Sequence, residues 1–542
     1  MIKFCNKIIM AQDTKFSQSS WQKNTSSTYN YVKHFNEMTF KRDVLSFLYD
    51  FENKRTPLKM KKMLKVYLIF CGLIANAILF TAGFFFIDQI SLHPSQMNQA
   101  IAMVSDKVSV FSPESADYLS ELAERQDTPD YYEGHFQPTH WPTVGPQQQY
   151  PLFNTSRYIS VDNEDDFISA IKNARQGDEI VIKNGHYLLD SKRYTISKAR
   201  TSPFAPVVIR AESLGQVNLY LDSVEGFVID QPNWQIEGIN FIGQCKNHSR
   251  CEHALHIVGA AKNTVIRNNT FYDFNAAIKI NESNMVYPDD GIIESNIFGM
   301  NAPRQTNHSV TPINLDHGNN WQIRKNLIHD FIKLDGNKIS YGAFMKGGIR
   351  GGVMEQNLII CNSKTEQYPG SQVGLSFGGG GMDKQDRRGS ADYEVADAVM
   401  KNNIILHCND VGIYSQRSQD VVINNNILFN TLGIDNRFKE SKADIFNNIL
   451  NGRIMDRDRA KSNRTNNYVY NNSLFSSELS LKTIFEEPNK GNFRIKQPEA
   501  LLNATLNASA VTESSTDFCN NAVKPGQAYV GAIYDDRGCF KP

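Results

Sequence analysis

The stretch Val265-Ile-Arg-Asn-Asn269-Thr-Phe contains the pattern that decides the fold: two apolar residues, two variable residues, an asparagine, then two apolar or small residues. The pattern recurs along the chain as Ile292-Ile-Glu-Ser-Asn296-Ile-Phe, Gln322-Ile-Arg-Lys-Asn326-Leu-Ile, Val353-Met-Glu-Gln-Asn357-Leu-Ile, Val399-Met-Lys-Asn-Asn403-Ile-Ile, Val422-Ile-Asn-Asn-Asn426-Ile-Leu and Asp444-Ile-Phe-Asn-Asn448-Ile-Leu. Internal repeats of this kind indicate a solenoid, in which each repeat packs only on its neighbours.

The spacing of the recurring asparagines identifies the kind of solenoid. The steps between them are 27, 30, 31, 46, 23 and 22 residues. The shortest steps match one coil of a parallel β-helix, and the longer ones are coils with loop insertions. Coils would stack at about 4.8 Å, with each asparagine in the αL region and hydrogen-bonded to its equivalents. A propeller needs units of about 40 residues, so we predict an all-β, right-handed parallel β-helix.

A second strand in each coil predicts a polar stripe on one sheet. Side chains alternate along a strand. The residues expected to point inward are Ile278, Ile313, Leu375, Ile413 and Ile434. Those expected to point outward are Lys279, Asn314, Asp316, Lys346, Tyr414, Gln416 and Asp435, with Arg417 and Arg437 at strand ends. For any single residue a solvated surface position is the simpler interpretation, but several adjacent coils share this stripe.

Two glycine-rich stretches lie beside the stripe. Tyr341-Gly-Ala-Phe-Met-Lys346-Gly-Gly-Ile-Arg350-Gly-Gly surrounds a lysine and an arginine with glycines, which let a ligand approach the backbone. Phe377-Gly-Gly-Gly-Gly381 opens the longest insertion, which carries Arg387 and Arg388. We interpret this insertion as a substrate clamp, and a mobile surface loop is the alternative. No helix pattern follows the glycines, so they do not indicate a phosphate-binding loop.

Composition and the N-terminal region set the broad class. Lys plus Arg and Asp plus Glu both number 57 among 542 residues, and a nucleic-acid partner is not expected without a basic excess. The segment Val66 to Ile87 has no charge and is long enough to span a bilayer. Basic residues precede it, so we expect a cytoplasmic N-terminus and an exported remainder, periplasmic or extracellular. A cleaved signal peptide, giving a secreted protein, is the alternative.

The predicted organisation has four parts. Residues 1–59 form a disordered cytoplasmic extension, unless Met60 is the true start. Residues 60–87 form the transmembrane anchor and 88–157 a spacer. Residues 158–542 form the β-helix, which begins with a helix near Val161–Ala174 that would cap the first coil.

Six cysteines follow the anchor, in a compartment that permits disulfides. Cys245–Cys251 and Cys519–Cys539 are the expected local pairs. Cys361 and Cys408 each follow a repeat and would face each other across coils. A CxxC pair is absent from the sequence, so it does not support a zinc site of that type.

The chain from Tyr158 onward resembles the chondroitinase-B-like and alginate-lyase-like polysaccharide lyases, a group with the pectin-lyase-like parallel β-helix. Besides the asparagine coils, the resemblance is carried by Asn173-Ala-Arg-Gln-Gly177-Asp-Glu-Ile-Val-Ile-Lys-Asn184-Gly185-His-Tyr187, by Pro206-Val-Val-Ile-Arg210-Ala211-Glu212 and by Val530-Gly531-Ala532-Ile533-Tyr534. These are scaffold motifs. They imply the fold more directly than the chemistry.

The resemblance implies β-elimination of uronate chains, with a lysine base, an assisting arginine and a calcium ion held by Asn and Glu. Lys346 matches the lysine by its place at a strand end. The arginine position falls in Leu375-Ser-Phe-Gly378, which has none, so Arg417 or Arg350 would have to replace it. The positions of the calcium-binding glutamates hold residues such as Ile339 and Tyr341. Calcium is therefore implied by the resemblance alone, and the metal ligands are unknown.

The residues themselves suit the same reaction. Removal of a proton α to a carboxylate builds negative charge that arginine neutralises well, and the base must be neutral, as a lysine or tyrosine can be. We predict Lys346, Tyr414 and Arg417 as catalytic residues. The predicted substrate-binding residues are Arg350, Asp316, His317, Arg387, Arg388, His407, Asp410, Asp435 and Arg437. His317 and His407 are also alternative bases.

Two other functions stay open from the sequence. A glycoside hydrolase would use paired carboxylates, such as Asp316 with Asp335 or Asp410 with Asp435. A surface protein could instead bind glycans, or organise the cell envelope, without catalysis. The expected partners are an acidic polysaccharide and, through one helix, a membrane, and we expect a monomer.

Overall fold

The computed structural model describes residues 143–147, 155–189, 193–196, 198–199, 201–364, 368–379, 381–470, 479–501, 507 and 515–539. These residues belong to one compact unit, Ile87–Pro542. The predicted extension, anchor and most of the spacer lie outside the described residues, so their boundaries stay predictions. Within the described ranges, no helix combines the length and apolarity needed to cross a bilayer.

The apolar pairs of the repeats form the first of three long parallel sheets. In spatial order, the strands of sheet 1 in the described chain are β1 (Arg157–Val161), β2 (Asp178–Ile182), β5 (Val207–Ala211), β8 (Trp234–Glu237), β11 (Val265–Arg267), β14 (Ile292–Glu294), β17 (Gln322–Arg324), β21 (Val353–Glu355), β25 (Val399–Lys401), β29 (Val421–Asn424), β32 (Lys442–Phe446) and β35 (Lys461–Thr465).

The residues after each recurring asparagine form sheet 2. Its described strands are β3 (Gly185–Leu189), β6 (Val217–Leu221), β9 (Ile239–Gly243), β12 (Thr270–Tyr272), β15 (Ile297–Gly299), β18 (Leu327–His329), β22 (Leu358–Ile360), β26 (Ile404–Leu406), β30 (Ile427–Phe429), β33 (Ile449–Asn451) and β36 (Tyr468–Tyr470).

The polar stripe lies on sheet 3, which completes each coil. Its described strands are β4 (Tyr194–Thr195), β7 (Glu225–Ile229), β10 (His253–Val258), β13 (Ile278–Asn281), β16 (Ile313–Asp316), β19 (Ile339–Lys346), β23 (Ser371–Phe377), β27 (Ile413–Gln416), β31 (Gly433–Arg437) and β34 (Arg453–Arg457). Three strands per coil, each paired in parallel with its equivalent in the next coil, confirm the predicted parallel β-helix.

Short elements complete the described structure. A small parallel sheet contains β20 (Ile349–Arg350), β24 (Val395–Ala396) and β28 (Ser418–Gln419), and two antiparallel pairs are formed by β37 (Phe485–Glu487) with β38 (Asn492–Ile495) and by β39 (Ser515–Thr516) with β40 (Ala522–Val523). The helices are α1 (Glu164–Lys172) and α2 (Leu481–Ile484). Single 3-10 turns lie at Lys384–Asp386, Arg388–Ser390, Pro488–Lys490 and Pro498–Leu501. Helix α1 buries Phe167 and Ile171 in the core. Its role as a cap stays a prediction.

The recurring asparagines form one continuous column inside the β-helix. Each amide nitrogen donates to the amide oxygen of the next asparagine at 2.9–3.2 Å, from Asn269 through to Asn467. The expected αL conformation belongs instead to the residue before each ladder asparagine, for example Asn268 and Gln356. The reason is that the turn residue takes the positive φ while the ladder side chain points inward to the next coil.

The predicted apolar column and disulfides are also present. Ile278, Ile313, Leu375, Ile413 and Ile434 are fully buried and occupy equivalent positions in successive strands of sheet 3. The three predicted cysteine pairs are confirmed as disulfides, with Cα–Cα distances of 5.6, 4.9 and 4.8 Å.

One buried histidine makes stability depend on pH. Burial lowers the pKa of His253 to about 3, and its Nδ1 lies 2.8 Å from the carbonyl oxygen of Ala276. The unfolded chain takes up this proton near pH 6.5 but the folded chain does not. The histidine therefore stabilises the fold above about pH 6.5, and that stability is lost as pH falls towards 3.

The contribution of His253 can be measured by urea unfolding across pH. We expect His253 to account for a loss of about 2–3 kcal/mol in unfolding free energy between about pH 7 and pH 4.5. His253→Gln keeps a donor for the Ala276 carbonyl but cannot titrate, so the variant should lose correspondingly less. Parallel pH profiles for the two proteins would show that His253 does not contribute.

Candidate functional site

The candidate site is the outward face of sheet 3. Register aligns one outward residue from each successive strand, and these residues are Lys279, Asn314, Phe344, Ser376, Tyr414 and Asp435. The stripe predicted from alternation therefore exists. Its charged residues do not form one group, however, but two clusters separated by a stretch of small residues.

The first group, the lysine cluster, consists of Lys279, Asp316 and Lys346. Lys279 donates to one carboxylate oxygen of Asp316, and to Asn314 Oδ1 at 2.8 Å. Lys346 Nζ lies 3.6 Å from the other oxygen, beyond a normal hydrogen bond, and 4.8 Å from the centroid of the Phe344 ring. Asp316 is thus held mainly by Lys279, which leaves Lys346 the more loosely engaged of the two amines.

The second group, the arginine cluster, consists of Tyr414, Asp435, Arg437, Arg457 and Asp458. Arg457 binds both carboxylate oxygens of the buried Asp435, and Arg437 binds Asp458 Oδ2 at 2.6 Å. The Arg437 guanidinium also interacts electrostatically with the Tyr414 hydroxyl. Burial nevertheless raises the pKa of Tyr414 above its usual value. The tyrosine therefore keeps its proton at neutral pH, and is suited to donate a proton rather than accept one.

The coil between the clusters carries only small residues on its outward face. The Ser376 hydroxyl is fully buried and donates to the carbonyl of Gly378. A side chain at Gly378 would collide with the Gln416 carbonyl oxygen, at 2.2 Å from its Cβ. At Gly379 a Cβ would lie 3.0 Å from Lys346 Cδ. Close packing against Gln416 and Lys346 therefore favours glycine at both positions. We call Ser376, Gly378 and Gly379 the floor between the two clusters.

The long insertion folds over the edge of the lysine cluster. Arg388 binds both oxygens of Asp289, at 2.6 and 3.1 Å, and its guanidinium lies 4.0 Å from the centroid of the Tyr287 ring. His317 Nε2 lies 2.8 Å from the carbonyl oxygen of Asp386. The insertion therefore lies close to Lys346 and contacts residues from earlier coils.

Arg387 supports the insertion from inside. Its side chain is 6% exposed and donates to the carbonyls of Met382, Ala391 and Asp392. Glu394, which is fully buried, lies 3.5 Å from Arg387 and accepts the Gly347 amide at 3.0 Å. The expectation that Arg387 binds substrate is not supported by this burial, because its guanidinium lies inside the loop and is bonded to three of the loop's carbonyls.

The structure does not bring every predicted residue to the groove. His407 is buried and contacts the carbonyl of Asn489 and the amide of Asn430, which corrects its assignment as a substrate ligand or base. Arg350 points to Tyr393 and Asp397 beyond the turn. Arg417 also lies in a turn, over the Phe438 ring at 4.1 Å.

Asp410 and His317 lie at the margins of the groove. Asp410 precedes β27 and accepts the Val411 amide at 2.8 Å, at the end of the strand opposite to Arg417. His317 follows Asp316 but is mostly covered by the insertion, because its ring faces the Asp386 carbonyl. Neither residue contacts the lysine or arginine cluster through its side chain in any described hydrogen bond.

The residues at the implied calcium position do not fit calcium. Ile339 offers no oxygen ligand from its side chain, and burial raises the pKa of Tyr341, so that this hydroxyl stays protonated. Asp316, which pairs with Lys346 at the other end of β19, is already bound by Lys279. Across the described ranges, no three or more His, Cys, Asp or Glu side chains are grouped closely enough to hold a metal. We therefore derive no step that uses calcium.

Sequence reasoning missed two important residues. Lys279 was assigned to the stripe but not to the site, although its ammonium is the main partner of Asp316. Arg457 follows the last recognised repeat. Its signal was the similarity of Arg453-Ile-Met-Asp-Arg457 to Gly433-Ile-Asp-Asn-Arg437, the strand with which it pairs residue by residue.

Comparison with known proteins identifies similar folds. No protein-family profile matches this chain, and no curated protein matches its sequence. Among solved structures, pectate lyase Pel9A is 15% identical, with 70% of this chain and 97% of that chain covered and a TM-score of 0.45. The alginate lyase from Paenibacillus sp. str. FPU-7 is 14% identical, with 58% and 96% covered and a TM-score of 0.36.

A further similar structure is the A-module of the Azotobacter vinelandii mannuronan C-5 epimerase AlgE4. It is 12% identical to this chain, with 58% of this chain and 92% of that chain covered and a TM-score of 0.36. At these identities the likeness concerns the fold. The function has to be argued from the site.

Proposed function

We propose that the protein binds an acidic, uronate-containing polysaccharide along sheet 3 and cleaves it by β-elimination. The observation that carries this proposal is the pair of cationic side-chain groups on the outward face of sheet 3, on either side of the floor at Ser376, Gly378 and Gly379. Successive coils lie about 4.8 Å apart. Lys346 and Arg437 belong to strands three steps apart, so a bound ligand would have to be an extended chain with several anionic groups.

Charge favours an anionic ligand at both ends of the floor. The lysine cluster has two ammonium groups and one carboxylate. In the arginine cluster, Asp435 and Asp458 neutralise Arg457 and Arg437, and the Arg417 guanidinium lies close by over the same Phe438 ring as Arg437. Each group therefore keeps an excess positive charge. Arginine and lysine hydrogen bonds to carboxylates are among the stronger polar contacts.

Lys346 is the proposed base. Its amine is the less tightly held of the pair around Asp316, and it stands at the edge of the glycine floor. In the reaction, Lys346 first releases its ammonium proton to water, and the free amine then removes the proton α to the uronate carboxylate. The electrons of that C–H bond form the double bond, and the glycosidic oxygen leaves with the electrons of its bond to carbon.

The remaining roles follow from charge and protonation. Lys279 neutralises the carboxylate as negative charge builds on it. Tyr414, whose raised pKa keeps it protonated, donates a proton to the departing oxygen. Of the residues predicted from sequence, Lys346 and Tyr414 thus keep catalytic roles. Arg417 contributes charge near the arginine cluster rather than contacting the reacting atoms.

The hydrolase alternative is less well supported. A glycoside hydrolase needs a carboxylic acid that keeps its proton. Asp316 is paired with Lys279, and Asp435 is paired with Arg457, so neither offers a carboxyl group free of a cationic partner. Their predicted partners, Asp335 and Asp410, lie in the loops before β19 and β27.

The chemistry of the product separates the three functions. Full-length protein incubated with alginate, pectate and chondroitin should release fragments that absorb in the ultraviolet, because β-elimination leaves an unsaturated uronate. New reducing ends without that absorbance would indicate hydrolysis. Binding without either product would favour a glycan-binding protein.

We also propose that the β-helix domain is exported, anchored by residues 66–87, and monomeric. Three disulfides in the described residues support an oxidising compartment. The charge-free run and its basic flank support the anchor. Treating cells from which any outer membrane has been removed with a protease should then digest the β-helix domain, whereas protection from the protease would contradict the proposed orientation.

A further inference from the structure

One histidine without a proposed catalytic role lies on the outward face of sheet 3, next to the lysine cluster. His256 faces outward from β10, and its Cα pairs in register with that of Lys279 in the next coil. Its Nδ1 lies 2.6 Å from Glu225 Oε1, and its Nε2 lies 2.6 Å from Asn281 Oδ1. Both ring nitrogens therefore face oxygen atoms at hydrogen-bonding distance.

The surrounding hydrogen bonds decide the protonation of the ring. Asn281 Nδ2 donates to the carbonyl of Glu282 at 2.7 Å. Exchanging the Asn281 oxygen and nitrogen would place its oxygen against that carbonyl, so the amide orientation is fixed. Glu225 can only accept while it is ionised, and its other oxygen is bound by Arg193 at 3.1 Å. Both nitrogens of His256 can therefore donate together only when the imidazole is protonated.

The charged groups around His256 come from every neighbouring strand. Glu225 and Arg193 lie on one side, and Lys279, which is bound to Asp316, lies on the other. Within β10 itself, the His253 ring is 5.5 Å away, and its lowered pKa keeps it neutral. With Glu225 paired to Arg193 and Asp316 to Lys279, the added proton on His256 gives this end of the groove an extra positive charge.

We infer that His256 and Lys279 form an anion-binding subsite that extends the groove beyond the lysine cluster and binds a further acidic sugar only while His256 is protonated. The side chain of His256 is 15% exposed, so one edge of the ring is accessible. A ligand carboxylate can take the place of the Asn281 oxygen as acceptor from Nε2, and the charge-assisted bond is the stronger of the two. This subsite rests on the proposed function, because it assumes the same polysaccharide.

The subsite makes binding depend on pH. An imidazole usually changes charge between about pH 5 and pH 8. Loss of the proton from one nitrogen of His256 removes both a donor and a charge from the subsite. We expect the affinity for the polysaccharide to fall by roughly tenfold over the range, as one charge-assisted hydrogen bond would give.

The test has two arms on the full-length chain. With histidine side chains labelled with nitrogen-15, nuclear magnetic resonance should show both nitrogens of His256 protonated near pH 6, as judged by assignment against His256→Gln. A ring with one unprotonated nitrogen at that pH would overturn the inference without any ligand.

The second arm measures affinity for alginate, pectate and chondroitin between about pH 5 and pH 8. His256→Gln keeps a neutral donor, so it should bind roughly tenfold more weakly than the unaltered protein at low pH, and its affinity should not change with pH. His186→Gln, which alters an exposed histidine on β3 of sheet 2, is the matched control and should retain the pH dependence. Equal pH profiles for His256→Gln and the unaltered protein would refute the subsite alone. Absence of binding and cleavage at every pH would refute the proposed function and the subsite together.

Discussion

Replacement of Lys346 by alanine is expected to slow polysaccharide cleavage by about 100- to 10,000-fold, the usual contribution of a positioned general base. The amine stands at the margin of the glycine floor, and neither Phe344 nor Asp316 can take its role. Steady-state rates from the ultraviolet absorbance of the products would measure the effect. The midpoint of thermal unfolding should hardly change, because the side chain reaches over the surface of sheet 3.

Two further variants make the result for Lys346 specific. Lys346→Arg keeps the positive charge but cannot act as a neutral base, so it should bind substrate and remain nearly inactive. Lys401→Ala removes a lysine of sheet 1, which pairs with Glu355 at 3.2 Å, and should leave the rate unchanged. Substantial activity in Lys346→Arg would show that Lys346 acts through its charge and that another group removes the proton.

Replacement of Asn357 by alanine is expected to lower the unfolding free energy by about 3–5 kcal/mol. The Asn357 side chain accepts from the backbone and side-chain nitrogens of Asn326, and donates to Asn403 and to the carbonyl of Ile323. Alanine would leave the Asn326 amide without its partner in a fully buried position. Urea unfolding followed by circular dichroism would measure the loss.

A matched asparagine outside the column tests whether position matters. Asn240→Ala removes bonds to Gly215 and Asn218 on sheet 2, where water can replace them, so we expect a loss below about 1 kcal/mol. If Asn357→Ala cost no more than Asn240→Ala, the internal column would not be a major source of stability.

The fold was predictable because its signal is repeated. Each coil places an apolar pair before an asparagine, and the residues of the ladder sit at the same point of every coil. Asn467 extends the ladder by one coil, although its repeat, Asn463-Arg-Thr-Asn-Asn467, lacks the apolar pair. The last coil was missed because its sheet 1 strand, β35, is largely exposed and does not need apolar residues.

The site was only partly predictable. Alternation in strands correctly placed Lys346 and Tyr414 on one face, because that depends on local geometry. The direction in which each side chain leans depends on partners from other coils. Lys346 approaches Asp316, whereas Tyr414 interacts electrostatically with Arg437, so one predicted cleft became two clusters.

Contacts between distant segments were the hardest to predict. His407 is covered by the turn at Asn489, which is 82 residues later in the chain. Arg388 reaches Asp289 across 99 residues. No repeat or spacing in the sequence indicates either contact, because each is made by an insertion or a terminal segment rather than by a coil.

Equilibrium binding to a variant that has lost one cation from each cluster tests the central claim most directly. Lys279→Ala combined with Arg437→Ala removes one cation from each side of the floor. In calorimetry with the polysaccharide that the unaltered protein binds best, the double variant should bind at least about 100-fold more weakly, the effect of losing two charge-assisted contacts. Unchanged affinity in a folded double variant would show that the polysaccharide does not bind between the lysine and arginine clusters.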